Sequence, residues 1–273
     1  MSKLHLPDHL AGSALIEHMI ENKATLINQK KAAIKHADGM GLTLYSIPTA
    51  DHAPTVKAAG TAKEIEQGVI KRRLIINTTG ILDSHGDVHV KGSWNKTVKE
   101  NRNMLHVQEH QSNRFDKIIS DGDDLKATVW NVSWKDLGYD FEGKTDALCF
   151  HSTIRKERNP AMFNEYAMGR VKNHSVGMRY VKMELCISED TYKSSEENDN
   201  WNKYIDQVVN RKEADAIGYF WAVLEAKAIE GSAVPIGANT FTPTIKDIEP
   251  PLGTQQTAAA DKGTAPEYHL FNA

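Results

Sequence analysis

Asn173-His174-Ser175-Val176-Gly177-Met178 is the stretch from which the rest of the chain is best read. Polar Lys172, Asn173 and His174 give way to the alternating Val176, Met178, Tyr180 and Lys182. Alternation with period two marks a strand, so Ser175 is expected at a strand mouth. A serine hydroxyl is a weak nucleophile on its own. It needs an imidazole in hydrogen-bond reach, best oriented by a third group. His110 upstream is a candidate base, and Glu230 downstream is a candidate orienting carboxylate. The bland alternative is an ordinary serine at the start of a strand.

Working outward, 273 residues allow one large domain or two small ones. A net charge of -3 is poorly suited to a dedicated nucleic-acid binder, which would carry a basic face. Cys149 and Cys186 lack metal-type spacing, and a reduced, intracellular setting is the simplest expectation. His5, Asp8 and His9 interrupt any apolar run at the N-terminus, and no run is long enough to span a membrane.

The texture divides the chain into four. Residues 1–45 read as an N-terminal helical arm. Leu15, Ile16, Met19, Ile20 and Ile27 form its apolar face, Ser13 is a candidate N-cap, and the lysines at 23, 30, 31 and 35 lie off that face. Residues 46–69 read as a linker, broken by Pro48, Pro54 and Gly60. Residues 70–242 are expected to hold short strands over 74–79, 117–119, 126–132, 176–185 and 226–234. Helical segments are expected at 137–172 and at the charged 195–225. Residues 243–273, rich in proline, threonine and alanine, read as a flexible tail. The class is α+β.

Three groupings carry chemistry. Asp83, His85, Asp87 and His89 would share one face of a regular strand and suit a divalent metal; the alternative is a polar loop whose aspartates cap turn amides. His106-Val107-Gln108-Glu109-His110 has the H-x-x-E-H spacing of inverted zincins, which requires both histidines on one helix face. Here the preceding residues alternate like a strand. In the third, Ala226, Ala228, Glu230 and Ser232 alternate onto one strand face, which would suit Glu230 to orient an imidazole; Glu225 is a rival carboxylate.

At these residues the chain resembles the prohead maturation proteases of tailed bacteriophages, serine proteases related in fold to the herpesvirus assemblins. The resemblance runs from about Ile75 to Thr242 in short matches. Asp83 to Asp87 followed by Gly92-Ser93-Trp94 resembles the family's opening segment, and Met104 to His110 its strand ending in the catalytic histidine. His174-Ser175-Val176-Gly177-Met178 resembles the nucleophile strand. Ile229-Glu230-Gly231-Ser232-Ala233-Val234 is similar to the glutamate strand, and Gly237-Ala238-Asn239 to the closing "P-A-N". Gly231 stands where the family has an apolar residue, and is expected to loosen the strand; Gly237 replaces the proline.

The resemblance implies a mainly antiparallel β-barrel core surrounded by helices, with Ser175 as nucleophile, His110 as base and Glu230 as orienter. It implies no cofactor and no metal. The implied substrates are the phage major capsid protein, its scaffold and the protease itself. The implied setting is the host cell cytoplasm, inside the assembling prohead, with self-association. Thr257-Ala258-Ala259-Ala260-Asp261 in the tail is a candidate self-cleavage stretch. A zinc metallopeptidase using His106, Glu109 and His110, and a non-enzymatic capsid or scaffold assembly protein, remain as alternatives.

Overall fold

The computed structural model describes residues 11–32, 34–36, 59–100 and 103–246. In chain order the helices are α1 (Gly12–Glu21), α2 (Lys23–Ala32), α3 (Ala62–Gln67), α4 (Asn95–Glu100), α5 (Pro160–Ala167), α6 (Ser195–Tyr204) and α7 (Arg211–Ile217). The strands are β1 (Lys35–His36), β2 (Val69–Thr78), β3 (Asp87–His89), β4 (Leu105–Gln108), β5 (Ile118–Ser120), β6 (Leu125–Ser133), β7 (Lys144–Arg155), β8 (Asn173–Ile187), β9 (Tyr219–Val234) and β10 (Thr244–Lys246).

The class is α+β, with two sheets. One runs β1-β8-β9-β4-β5, with β3 also on β9; the other runs β10-β2-β7-β6. Neighbours pair antiparallel except β3 and β4, which run parallel to β9. Among the described residues these pairings do not close a barrel.

The long β8–β9 ribbon is the spine. Its Tyr180, Met183 and Leu185 pack with Trp221 and Val223 against Ile16, Met19 and Leu26 of α1 and α2. A second cluster seats Trp201, Tyr204, Val208 and Ala214, from the α6–α7 region, on Phe220 and Ala222. A third gathers Trp134, Tyr139 and Phe241 over Ile75 and Cys149. Cys149 and Cys186 are buried and do not form a disulfide.

Several expectations need correcting. Residues 144–155, read as helical, are β7; the helix in that region is confined to 160–167, where Asn159 accepts from the Met162 amide and Pro160 opens the first turn. The contiguous buried run Ala147-Leu148-Cys149-Phe150 explains the error. A central strand covered on both faces loses its alternation, and short apolar runs then look helical. Residues 219–225, placed in the charged helical segment, begin β9. The N-cap of α1 is Ala11, not Ser13. Residues 62–67 of the expected linker are a capping-box helix and Val69 opens β2, whereas 46–58 lie outside the described residues. The first residues of the expected tail pair with β2 as β10, and 247–273 lie outside the described residues.

Lys30 is the largest surprise. It was expected off the apolar face of its helix, yet it is buried and ion-paired with equally buried Asp87. Tyr180 donates its hydroxyl to the other Asp87 oxygen at 2.6 Å, and Lys23 pairs with Glu197 of α6 at 2.6 Å. Two lysines thus tie α2 to the body of the protein. Removing one partner from a buried pair leaves an uncompensated charge, so Lys30→Met is expected to cost about 3–5 kcal/mol in urea unfolding. The double variant Lys30→Met/Asp87→Asn should recover most of that loss. A single variant within about 1 kcal/mol of the parent would contradict this account.

Candidate active site

Pairing between β8 and β9 fixes two of the three candidate residues. Ser175 lies opposite Ser232, and Gly177 opposite Glu230. Directly opposed residues share a face, so Ser175 and Glu230 look onto the same side of the ribbon. The register then shifts, because Met178 pairs with Ala228 and leaves Ile229 as an extra residue on β9. Such bulges re-aim neighbouring side chains. Glu230 sits immediately beside this one, with Gly177 beneath it. A Cβ at position 177 would fall 2.1 Å from Glu230 Oε1. Glycine there is what gives the carboxylate its room.

The third residue arrives on β4, parallel to β9 with Leu105 opposite Glu230 and Val107 opposite Ser232. The strand ends in a turn where the Gln111 amide donates to the Gln108 carbonyl, with φ of 50° at Glu109 and 59° at His110. This turn lifts the imidazole over the β8–β9 face. Ser175 Oγ–H donates to His110 Nε2 at 3.0 Å, and His110 Nδ1–H donates to Glu230 Oε1 at 2.6 Å. Ser175 and Glu230 are both buried, and the imidazole is about nine-tenths buried, so the pair is shielded from competing water. The rival Glu225 lies instead in β9, ion-paired with Lys96 at 3.0 Å.

The two glycines that depart from the family pattern have physical reasons. A Cβ on Gly231 would meet Phe150 at 2.6 Å and Ile76 at 2.8 Å, so the strand here is tightly packed against the second sheet and not loosened. A Cβ on Gly237 would meet the His174 carbonyl at 2.8 Å.

The H-x-x-E-H residues separate. The segment is a strand and a turn, not a helix. His106 turns into the interior, with Nδ1 2.9 Å from Ser152 Oγ and Nε2 3.0 Å from Tyr166 Oη, while His110 faces Ser175 and Glu230. The motif therefore offers no common metal position. The Asp83–His89 group is likewise not a metal face. Asp83 accepts from the His85 and Asp87 amides at 2.9 and 3.0 Å, Asp87 is held by Lys30 and Tyr180, and His89 stacks on Trp94. No cluster of three or more metal-type side chains occurs among the described residues.

A buried polar chain behind β8 was not foreseen. A carbonyl can only accept, so His174 Nδ1–H donates to Thr242 O (3.0 Å) and Nε2 accepts from Tyr166 (3.0 Å). The Tyr166 oxygen then accepts from His106 Nε2–H, and His106 Nδ1 accepts from Ser152. This direction holds with both imidazoles neutral, and burial is what keeps them so. Burial lowers His106 well below its ordinary value and His174 to about 4. His89, buried against Trp94, is also lowered by burial to about 4.

No family model, curated protein or solved structure matches this chain. Geometry and chemistry therefore carry its functional reading.

Two outcomes follow. In Gly177→Ala the new methyl displaces the Glu230 carboxylate, and reaction of Ser175 with a serine-directed phosphonate should slow by about 100-fold. An unchanged labelling rate would remove Glu230 from the site. The second concerns acid. The unfolded chain takes up protons on His89, His106 and His174 near their ordinary 6.5, whereas the folded chain resists them down to about 4 for His89 and His174 and to well below 6.5 for His106. Stability is thus fully present above about pH 6.5 and lost as pH falls below it, by up to about 1.4 kcal/mol per pH unit for each histidine. Urea midpoints that stay flat between about pH 7 and about pH 5 would refute it.

Proposed function

We propose that this chain is a serine endopeptidase in which Ser175 is the nucleophile, His110 the general base and acid, and Glu230 the orienter. One observation carries the reading: a continuous hydrogen-bonded line from Ser175 Oγ through both ring nitrogens of His110 to a buried carboxylate. In the first step Ser175 Oγ attacks the scissile carbonyl while its proton passes to His110 Nε2. Glu230 holds the Nδ1–H tautomer and offsets the charge of the imidazolium. The imidazolium then gives its proton to the leaving amine. Water, deprotonated by the same imidazole, releases the acyl group.

The substrate class rests on the resemblance. We assign the protease to prohead maturation in a tailed phage, acting on scaffold, major capsid protein and itself within the assembling particle, with self-association. An assemblin-like barrel is part of the same proposal. Its support is the hydrogen bonding of His106 on β4 and Ser120 on β5 to Ser152 on β7, which joins the two sheets through side chains.

The test is a phosphonate probe read by peptide mass mapping, together with co-expression of the capsid and scaffold proteins of the encoding virus. Labelling is expected at Ser175 and should fall to a slow residual rate in His110→Ala. Processing should cease in Ser175→Ala and fall by about 10⁴-fold in Glu230→Gln, which keeps the shape but not the charge. Full assembly with no processing, unaltered in Ser175→Ala, would favour the non-enzymatic assembly protein.

A further inference from the structure

The turn that carries His110 is costly, and its restraint lies outside the three residues discussed so far. Among the described residues, Glu109 and His110 are the non-glycine residues with positive φ. A turn with both central φ positive ordinarily takes Asn-Gly, and an L-residue held there costs on the order of 1–2 kcal/mol. Something must hold Glu-His in place. The Glu109 amide donates to the Ala233 carbonyl at 3.0 Å, extending the β4–β9 ladder by one bond. The His110 amide turns back to the preceding residue of β9, where it donates at 2.7 Å to the hydroxyl of Ser232. Ser232 is fully buried. Its own hydroxyl reaches back to the Val107 carbonyl at 3.4 Å, so one side chain bridges the strand before the turn and the residue at its apex.

We infer that Ser232 is a positioning residue: its hydroxyl clamps the left-handed turn that presents His110 to Ser175. Ser232 is fully buried, its hydroxyl is engaged by the His110 amide and the Val107 carbonyl, and it acts through the His110 backbone. Without the acceptor, the His110 amide has a reason to leave the turn, and the imidazole moves off its line between Ser175 and Glu230. The catalytic consequence rests on the serine-peptidase reading; the clamp itself does not.

The experiment reads both. Hydrogen exchange at the His110 amide should quicken at least about tenfold in Ser232→Ala, while the Glu109 amide keeps its protection. With the phosphonate probe, the maximal labelling rate at Ser175 should fall by about 10–100-fold with the probe's half-saturating concentration unchanged, and Ser232→Cys, whose thiol is a weaker acceptor, should fall between. A residue acting through His110 adds nothing once His110 is gone, so Ser232→Ala/His110→Ala should label as slowly as His110→Ala alone. The clamp is overturned if His110 exchange is unaltered. The positioning role is overturned if Ser232→Ala labels within about threefold of the parent, or slows the His110→Ala background further. If the parent chain is not labelled at all, the peptidase reading falls and exchange alone decides the clamp. Should Ser232→Ala fail to fold, Ser232→Cys carries both measurements.

Discussion

The candidate site depends first on the register of β8 against β9. Opposing Ser175 to Ser232 and Gly177 to Glu230 puts the serine hydroxyl and the carboxylate on one face, and a slip of one residue would send one of them to the other face. That register is defended from outside the site. Tyr180, Met183 and Leu185 on β8 and Trp221 and Val223 on β9 are locked into the same core as α1 and α2. Burial of that apolar surface holds the ribbon, and the ribbon holds the chemistry. The bulge at Ile229 lets the pairing change phase beside Glu230 without disturbing the core beyond it.

β4 shows how one strand serves two ends. His106 and His110 are four residues apart, which on a helix would put them side by side. On a strand running into a left-handed turn they part, one to the interior and one to the site. His106 belongs to a chain of neutral groups ending on Thr242, whose two imidazoles have fixed tautomers because the last acceptor is a carbonyl. His110 is instead flanked by a hydroxyl and a carboxylate, the surroundings that permit a proton to arrive and leave. The same residue type takes a structural role in one place and the proposed chemical one in the other, and the difference is the backbone conformation between them.

The sequence made part of this legible. Alternation located β8 and the second half of β9, while the end of β2 and most of β6 were legible only as strand-like runs. Small residues beside Glu230 made it a plausible orienter, and the family resemblance singled out His110, Ser175 and Glu230, the three side chains that the fold brings together. β7 was hidden because both its faces are buried, and α1 and α2 gave their apolar face but not the burial of Lys30, whose partner lies 57 positions away. Ser232 was visible as one member of an alternating face, but its function depends on a hydrogen bond to a turn 122 positions distant. Local pattern carries burial; it does not carry which buried polar groups will meet.

The glycines near the nucleophile turn apparent defects of the sequence into a physical argument. Glycine inside a strand weakens it by roughly 0.5–1 kcal/mol, so Gly177 in β8 and Gly231 in β9 should each have a reason, and Gly237, just beyond β9, has one as well. Gly177 makes room for the Glu230 carboxylate, Gly231 for Phe150 and Ile76, and Gly237 for the His174 carbonyl. Gly177 and Gly231 lie beside Ser175 or Glu230 in sequence and Gly237 packs on the carbonyl of His174, so each removes a Cβ that would push neighbouring pieces apart. The site is therefore fitted by taking atoms away, with the strand propensity lost at Gly231 offset by packing between the sheets. Close approach at Gly231 also accounts for the glycine that follows the carboxylate. An apolar side chain there would have to displace Phe150, and with it the contact between the sheets that keeps Glu230 beneath His110.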